Sequence, residues 1–246
     1  MIAGEEKQKM PQKPGPIRIM LVDDHRSVLW GLERLIESES PRMQVVAKAT
    51  TCASAVDLAG KTAPDVVVLD LDLSGENSTE IIPALIGNGV TRVLVLTGMR
   101  DVSLAESSIL RGACGLVHKE EPADTILKAI EKVHGGELWL DRSTTGRIFA
   151  HLAKPKDDDS GGLDSRKIAS LTAREREIVE QLANDPGADN RRLAETLRIG
   201  EHTLRNHLSR IYDKLGVPNR LGLYLYAQRN GLARSPLHPG LGAIST

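Results

Sequence analysis

The chain has 246 residues, of which 40% are hydrophobic, 26% are charged and 2% are aromatic, and its formal net charge is −1. This length holds one large domain or two small ones, and the composition is typical of a globular protein. The sequence has no run apolar and long enough to cross a membrane and no signal peptide at its start, so we expect a cytoplasmic protein without membrane contact.

Charge is unevenly distributed along the chain. Residues 166–246 carry 13 Lys and Arg against 8 Asp and Glu, a net charge of +5, whereas the remainder carries a net charge of −6. The basic end is therefore the part expected to meet a polyanion such as DNA.

The first part of the chain reads as a tail followed by alternating strands and helices. Residues 1–16 contain several Pro and Gly breaks and are expected to be a disordered tail. Strands are expected at 17–22, 43–49, 65–70, 92–97 and 115–118, and helices at 27–39, 52–61, 78–86, 102–111 and 123–134. Five repeats of a βα unit predict an α/β, flavodoxin-like, doubly wound five-stranded parallel sheet over residues 17–137.

Polar side chains follow the ends of four of these strands. They are Asp23 and Asp24 after the first strand, Asp70 at the third, Thr97 at the fourth and Lys119 at the fifth. Asp23 taken by itself is better explained as a helix N-cap. The carboxyl ends of parallel strands meet at one edge of a sheet, however, so the set is expected to share a crevice. Crowded carboxylates repel one another unless a cation lies between them, which predicts a Mg²⁺ site.

The second part of the chain is predicted to be helical. Residues 138–169 are the expected linker, in which 154–164 is charged and Gly-rich, as in a flexible tether. A small all-α domain is expected at 170–232, with a C-terminal tail at 233–246. Its four helices are expected at about 172–183, 190–197, 201–215 and 220–230. A short helix, a turn containing Gly200 and a second helix form a helix-turn-helix pattern.

The predicted helix 201–215 has one apolar and one polar face. The apolar face, expected in the core, consists of Leu204, Leu208, Ile211 and Leu215. The polar face carries His202, Arg205, Asn206, Ser209 and Arg210. Polar helix faces are commonly just solvated, but the second helix of such a motif, in the basic end of a chain, favours entry into the major groove of DNA.

Both parts resemble known modules. Residues 17–137 resemble a receiver domain through residues 22–25 (VDDH), 69–75 (LDLDLSG), 96–98 (LTG) and 112–119 (GACGLVHK). Residues 170–232 resemble a LuxR-type DNA-binding domain through 171–177 (LTARERE) and 203–216 (TLRNHLSRIYDKLG). Together they are similar to a two-component response regulator of the NarL/FixJ type.

The resemblance implies a role for each residue of the crevice. Asp70 is the implied acceptor of a phosphoryl group, which a sensor histidine kinase would supply. Lys119 would contact the phosphoryl oxygens, and the hydroxyl of Thr97 would respond to their presence. The implied Mg²⁺ ligands are Asp23, Asp24, Asp70 and the backbone carbonyl of Asp72. An aromatic switch residue is usual in the family where this chain has Leu116, so the coupling of Thr97 to a rotating ring is not expected.

The resemblance also implies how the second module meets double-stranded promoter DNA. The implied contacts come from Thr203, Arg205, Asn206, Ser209, Arg210 and Lys214. Arg205, Asn206 and Ser209 would read base edges, and Arg210 and Lys214 would hold phosphates. A homodimer formed through residues 220–230 would place two such helices on successive half-sites, and RNA polymerase is a further candidate partner.

Two alternatives stay open at this point. The chain could be a phosphorylation-independent DNA-binding regulator that uses its receiver for dimerisation, which Leu116 favours. Residues 70–72 also resemble the first motif of haloacid-dehalogenase-type phosphatases, with Asp70 as nucleophile and Asp72 as acid. That motif usually opens its domain, whereas here it lies on the third strand. We therefore expect a signalling protein that at most catalyses its own phosphorylation and dephosphorylation, rather than an enzyme.

Overall fold

The computed structural model describes residues 15–98, 102–141, 144–148, 161–185 and 187–232. Residues 1–14 of the predicted N-terminal tail, residues 154–160 of the predicted tether and the predicted tail at 233–246 lie outside the described residues. No helix among the described residues combines the length and the hydrophobicity needed to span a bilayer.

A five-stranded parallel sheet forms the centre of the first domain, as the sequence predicted. The strands of the described residues are β1 (Ile17–Val22), β2 (Met43–Ala49), β3 (Val66–Leu69), β4 (Asp72–Leu73), β5 (Glu76–Asn77), β6 (Arg92–Thr97) and β7 (Gly115–His118). The order in the sheet is β2-β1-β3-β6-β7, and β4 and β5 form a separate antiparallel pair. The strand β3 is central and pairs with β1 and β6, which brings the ends of these three strands to the same edge.

Helices cover both faces of this sheet. They are α1 (Arg26–Glu37), α2 (Cys52–Thr62), α3 (Ile82–Ile86), α4 (Val102–Leu110) and α5 (Ala123–His134), and a 3₁₀ turn (Ser78–Ile81) precedes α3. Along β3, Val66 and Val68 pack into one hydrophobic cluster, whereas Val67 and Leu69 pack into the other. Side chains alternate between the faces of a strand, so an uninterrupted run of Val and Leu is suited to a strand that is buried on both.

A third hydrophobic cluster, between helices, forms the core of the C-terminal domain. Its helices are α6 (Gly161–Ala169), α7 (Ala173–Asn184), α8 (Asn190–Leu197), α9 (Glu201–Leu215) and α10 (Arg220–Arg229). The predicted apolar face of α9 is confirmed, because Leu204, Leu208, Ile211 and Leu215 are all buried in this cluster. The start of α7 is a capping box, in which Thr172 and Glu175 each accept a hydrogen bond from the other's backbone N–H.

The helix α6 was not expected, because the sequence predicted four helices in this part of the chain and placed 161–169 in the linker. The segment opens with two glycines, which are poor helix formers. Tertiary contacts stabilise it instead: Lys167 Nζ donates to the carbonyl of Leu215 at 3.1 Å, and Arg176 donates to the carbonyl of Ile168 at 3.1 Å. Such long-range partners are not visible in a local sequence pattern.

We predict that Gly112→Ala lowers the free energy of unfolding by about 1–2 kcal/mol or more, because Gly112 has a φ of +118° and an added Cβ would press on Ile86 and lie 3.0 Å from Pro218. Urea denaturation measures the change. Gly31→Ala is the matched control, since Gly31 lies inside α1 with nothing within 4 Å of an added Cβ, and this variant should be stabilised by about 0.5–1 kcal/mol. Equal stability of the two variants would contradict the prediction.

Candidate functional site

The ends of β1 and β3 bring two aspartates together. Val22 and Leu69 are partners in the register of these parallel strands, so Asp23 and Asp70, the next residues, lie side by side. The backbone N–H of Asp70 donates to the carbonyl of Val22 at 2.9 Å, and that of Asp23 donates to the carbonyl of Ala49 at 3.1 Å. Both aspartates are almost completely buried, at 2% and 5% exposure. The sheet therefore holds two carboxylates in a fixed position at its carboxyl edge.

Lys119 lies between these two carboxylates. Its Nζ is 2.6 Å from Asp23 Oδ2 and 2.6 Å from Asp70 Oδ2. Burial raises the pKa of Asp70, and the hydrogen bond from Lys119 offsets only part of that rise. Burial acts to lower the pKa of Lys119, but its hydrogen bonds to both aspartates raise the pKa on balance. The ammonium group therefore neutralises only part of the negative charge in the crevice.

Asp24 adds a third carboxylate to the group. Its Oδ2 accepts hydrogen bonds from the backbone N–H and the hydroxyl of Ser74, at 3.0 and 2.9 Å, and the hydroxyl bond is the main cause of a lowered pKa at Asp24. Its Oδ1 is buried and accepts no hydrogen bond, and His25 Nδ1 lies 2.8 Å from it. An acceptor oxygen without a donor, in a cluster of carboxylates, is what a cation would satisfy.

The geometry fits a divalent cation. Oxygen atoms of Asp23, Asp24 and Asp70 and a ring nitrogen of His25 lie within 4.8 Å of one another. Three carboxylates and the ammonium of Lys119 leave a formal charge of −2. Oxygen ligands of this kind suit Mg²⁺. The sequence did not single out His25 as a potential ligand, although it directly follows the two aspartates.

The other predicted residues of the crevice lie at the same edge. Thr97 ends β6, is 1% exposed, and its carbonyl accepts from the backbone N–H of Lys119 at 2.9 Å. The side chain of Asp72 is exposed and accepts from the backbone N–H of Gly75 at 2.8 Å, so this carboxylate does not join the cluster. Leu116 is half-buried and packs against the hydrophobic cluster on one face of the sheet.

A second candidate site lies on the polar face of α9. His202, Thr203, Asn206 and Arg210 are exposed, and Arg205 is half-buried. Lys214 is bound within the domain: its Nζ donates to Glu175 at 2.6 Å and to the carbonyl of Ser170 at 3.1 Å. The predicted DNA contacts thus share one helix, with Lys214 held by an internal ion pair in this conformation.

Part of this face contacts the first domain. The hydroxyl of Ser209 donates to the carbonyl of Gly89, in the loop between α3 and β6. Burial lowers the pKa of His134 at the end of α5, and the charge of Arg205 lowers it further, so Arg205 lies near this end of the first domain. Leu221 of α10 packs into the hydrophobic cluster of the first domain. The face predicted to meet DNA is therefore partly covered in this conformation.

A buried aspartate with a neighbouring acidic pair and a lysine, at the carboxyl edge of a five-stranded parallel sheet, is the arrangement of a receiver domain, here joined to a helix-turn-helix domain. Comparison with family models agrees: residues 19–131 match the response regulator receiver domain, and residues 169–227 match the bacterial regulatory proteins of the luxR family. The chain belongs to the two-component response regulators of the NarL/FixJ type, and it is a DNA-binding transcription regulator.

Two similar proteins match over most of the chain, and a solved structure matches over about half of it. The chain is 30% identical over 224 residues to the transcriptional regulatory protein LnrK of Bacillus subtilis (strain 168), which covers 88% of this chain and 99% of that protein. It is 30% identical over 219 residues to the nitrate/nitrite response regulator protein NarP of Escherichia coli (strain K12), and this match covers 88% of this chain and 97% of NarP. A crystal structure of a LuxR-family two-component response regulator from Aurantimonas sp. SI85-9A1 is 34% identical, with a TM-score of 0.50, and covers 55% of this chain and 97% of that one.

We predict that Asp70→Asn raises the melting temperature at neutral pH by about 2–5 °C. A raised pKa means that the folded state disfavours ionised Asp70, so a neutral residue of the same shape removes that cost. The gain should shrink as the pH falls through the pKa of Asp70 in the folded protein, because the wild-type carboxyl is then protonated too. Calorimetry of the wild-type protein and Asp70→Asn across pH measures the difference in melting temperature. A difference that grows on acidification would contradict a raised pKa at Asp70.

Proposed function

We propose that Asp70 accepts a phosphoryl group from a sensor histidine kinase, and that this modification controls binding of the second domain to promoter DNA. The observation that supports the proposal is the position of Lys119 Nζ, 2.6 Å from the carboxylates of both Asp23 and Asp70. A buried carboxylate held against an ammonium group offers a nucleophilic oxygen and a cation that can follow the phosphoryl oxygens. A cytoplasmic location belongs to the same proposal.

In the proposed reaction, an oxygen of Asp70 attacks the phosphorus of a phosphohistidine. The O–P bond forms as the P–N bond breaks, and the electron pair of that bond leaves with the imidazole nitrogen. Asp23, Asp24, Asp70 and the backbone carbonyl of Asp72 would hold Mg²⁺, which when bound neutralises charge on the transferring group. Lys119 would leave Asp70 to pair with the phosphoryl oxygens, while Asp23 keeps its carboxylate available to the cation.

The proposed output is a shift between two arrangements of the domains. A phosphoryl group on Asp70 would draw the Thr97 hydroxyl towards it and change the position of α4, which begins five residues later. The closed arrangement, in which Ser209 contacts Gly89 and α10 packs on the first domain, would lose population. The freed α9 would then enter the major groove, and α10 would form the contact of a homodimer on two half-sites.

Two rival functions receive less support. A regulator that ignores phosphorylation needs no acceptor site, yet the acidic cluster and Lys119 are assembled around Asp70. A phosphatase that uses Asp72 as its acid needs that carboxylate near Asp70, but the side chain of Asp72 is exposed and binds the backbone of Gly75. RNA polymerase is a further candidate partner of the DNA-bound protein.

The acceptor assignment predicts selective phosphorylation. Incubation with acetyl phosphate and Mg²⁺ should add one phosphoryl group to the wild-type protein and to Asp72→Asn, but none to Asp70→Asn, as measured by intact-protein mass spectrometry. Asp57→Asn is the control for loss of an exposed acid, because Asp57 pairs with Lys61 on the surface of α2. Labelling of Asp70→Asn together with loss of labelling in Asp72→Asn would make the assignment wrong.

The DNA-binding assignment predicts a response to beryllofluoride, which mimics the phosphoryl group. Duplexes selected from a random library should bind the beryllofluoride-treated wild-type protein at least several-fold more tightly than the untreated protein, and Asp70→Asn should show no response. In the treated protein, Arg205→Ala should weaken binding by about 1–3 kcal/mol. Fluorescence anisotropy measures both effects. Equal affinity with and without beryllofluoride would favour the phosphorylation-independent alternative.

A further inference from the structure

One asparagine connects the two domains through both ends of its side-chain amide. Asn219, at 2% exposure, is the N-cap of α10, and its Oδ1 accepts from the backbone N–H of Gly222 at 2.8 Å. Its Nδ2 donates to the carbonyl of Ala113 at 3.0 Å and to that of Ile109 at 3.3 Å. The acceptor side of the amide therefore serves the DNA-binding domain, and the donor side serves the receiver.

The two acceptor carbonyls lie at the C-terminal end of α4. Ile109 is the penultimate residue of this helix, and Ala113 lies three residues beyond its end. The carbonyl of Ile109 carries the partial negative charge of a helix C-terminus, and it also accepts from the backbone N–H of Gly112 at 3.0 Å. Because α4 is the first helix after Thr97, a displacement of its C-terminal end would change the distance between Asn219 and these two carbonyls.

The surroundings of Asn219 show a close approach of the two domains at this point. Pro218 would lie 3.0 Å from a Cβ built on Gly112, and Leu221 is buried in the receiver's hydrophobic cluster. Two more receiver glycines with positive φ face the other domain: Gly89 lies next to the carboxylate of Asp213, and Gly136 lies next to the amide of Asn190. A Cβ built at either position would lie 3.0 Å from a side-chain atom of the other domain, so the approach is close at these glycines too.

An open pocket of about 320 Å³ also lies between the domains, and Asn219 lines it together with residues that include Val90, Gly136, Tyr212 and Val217. Beside this pocket the domains are joined by Leu221 in the receiver's hydrophobic cluster and by hydrogen bonds from Asn219 and Ser209.

We propose that the hydrogen bonds of Asn219 couple the position of α4 to the docking of the DNA-binding domain on the receiver. A movement of α4 that breaks these bonds would release the DNA-binding domain. When the carbonyls of Ile109 and Ala113 face Nδ2, the closed arrangement is favoured. When α4 moves, Nδ2 loses buried acceptors, and exposing it to water by opening becomes favourable. This inference rests on the proposed function. It explains how modification of Asp70 could release α9 although the chain has Leu116 where the family usually has an aromatic residue.

Asn219→Asp separates the two roles of the side chain. The carboxylate still accepts from the N–H of Gly222, and a negative charge suits the start of a helix, so α10 keeps its cap. It cannot donate to the carbonyls of α4 and is repelled by them. Asn219→Ser is the second variant, because its hydroxyl also caps the helix but is too short to replace both receiver contacts. Asn230→Asp is the control for the change of charge, because it makes the same substitution at the C-cap of α10, where Asn230 Nδ2 donates to the carbonyl of Tyr226 within the same domain.

Small-angle X-ray scattering of the full chain, at low protein concentration and with and without beryllofluoride, measures domain opening. Fluorescence anisotropy with a random-sequence DNA duplex at low salt measures how accessible the polar face of α9 is. Without beryllofluoride, Asn219→Asp and Asn219→Ser should have a larger radius of gyration than the wild-type protein and a closed-to-open ratio reduced about tenfold. Asn230→Asp should match the wild-type protein. Circular dichroism confirms that the helical content of each variant is retained.

The outcomes distinguish this inference from the proposed function. If beryllofluoride opens the wild-type protein while both Asn219 variants stay as compact as the untreated wild type, Asn219 does not couple the domains and the proposed function stands. If both Asn219 variants open but beryllofluoride leaves the wild type closed, Asn219 holds the domains together and control by Asp70 is wrong. Opening of Asn230→Asp to the same extent would attribute the effect to charge and overturn the inference.

Discussion

The chemistry of the first domain depends on a charge imbalance that the sheet imposes. Backbone pairing of β1 and β3 places Asp23 and Asp70 side by side, and Asp24 completes a group that Lys119 only partly neutralises. The backbone cannot relax this arrangement without breaking the central strands of the sheet. A divalent cation bound by this group would relieve the repulsion among its carboxylates.

The second domain depends on a different constraint, because the polar face of α9 can serve two partners. Hydroxyl, amide and guanidinium groups bond equally well to the carbonyls of another domain and to the edges of bases. Ser209 bonds the carbonyl of Gly89 here, while Asn206 and Arg210 stay exposed. If DNA binds this face as proposed, it competes there with the first domain, so a change in the affinity between the domains changes DNA binding.

Between the two sites, the connection is short. The helix α4 follows Thr97 within the same βα unit, and its C-terminal end touches the loop that connects α9 and α10. An open pocket of about 320 Å³ lies beside this contact.

The sequence by itself determined the elements of both domains and the edge at which the site residues meet, because apolar periodicity and strand-end chemistry are local properties. It missed α6, which begins with two glycines and is held by hydrogen bonds from Lys167 to the carbonyl of Leu215 and from Arg176 to the carbonyl of Ile168, and it did not identify His25 as a potential ligand. Only the tertiary structure decided that Lys119 bridges Asp23 and Asp70, that Ser209 meets Gly89 and that Asn219 reaches α4. These contacts join residues distant in sequence, and their geometry follows from how the domains pack, which no local pattern records.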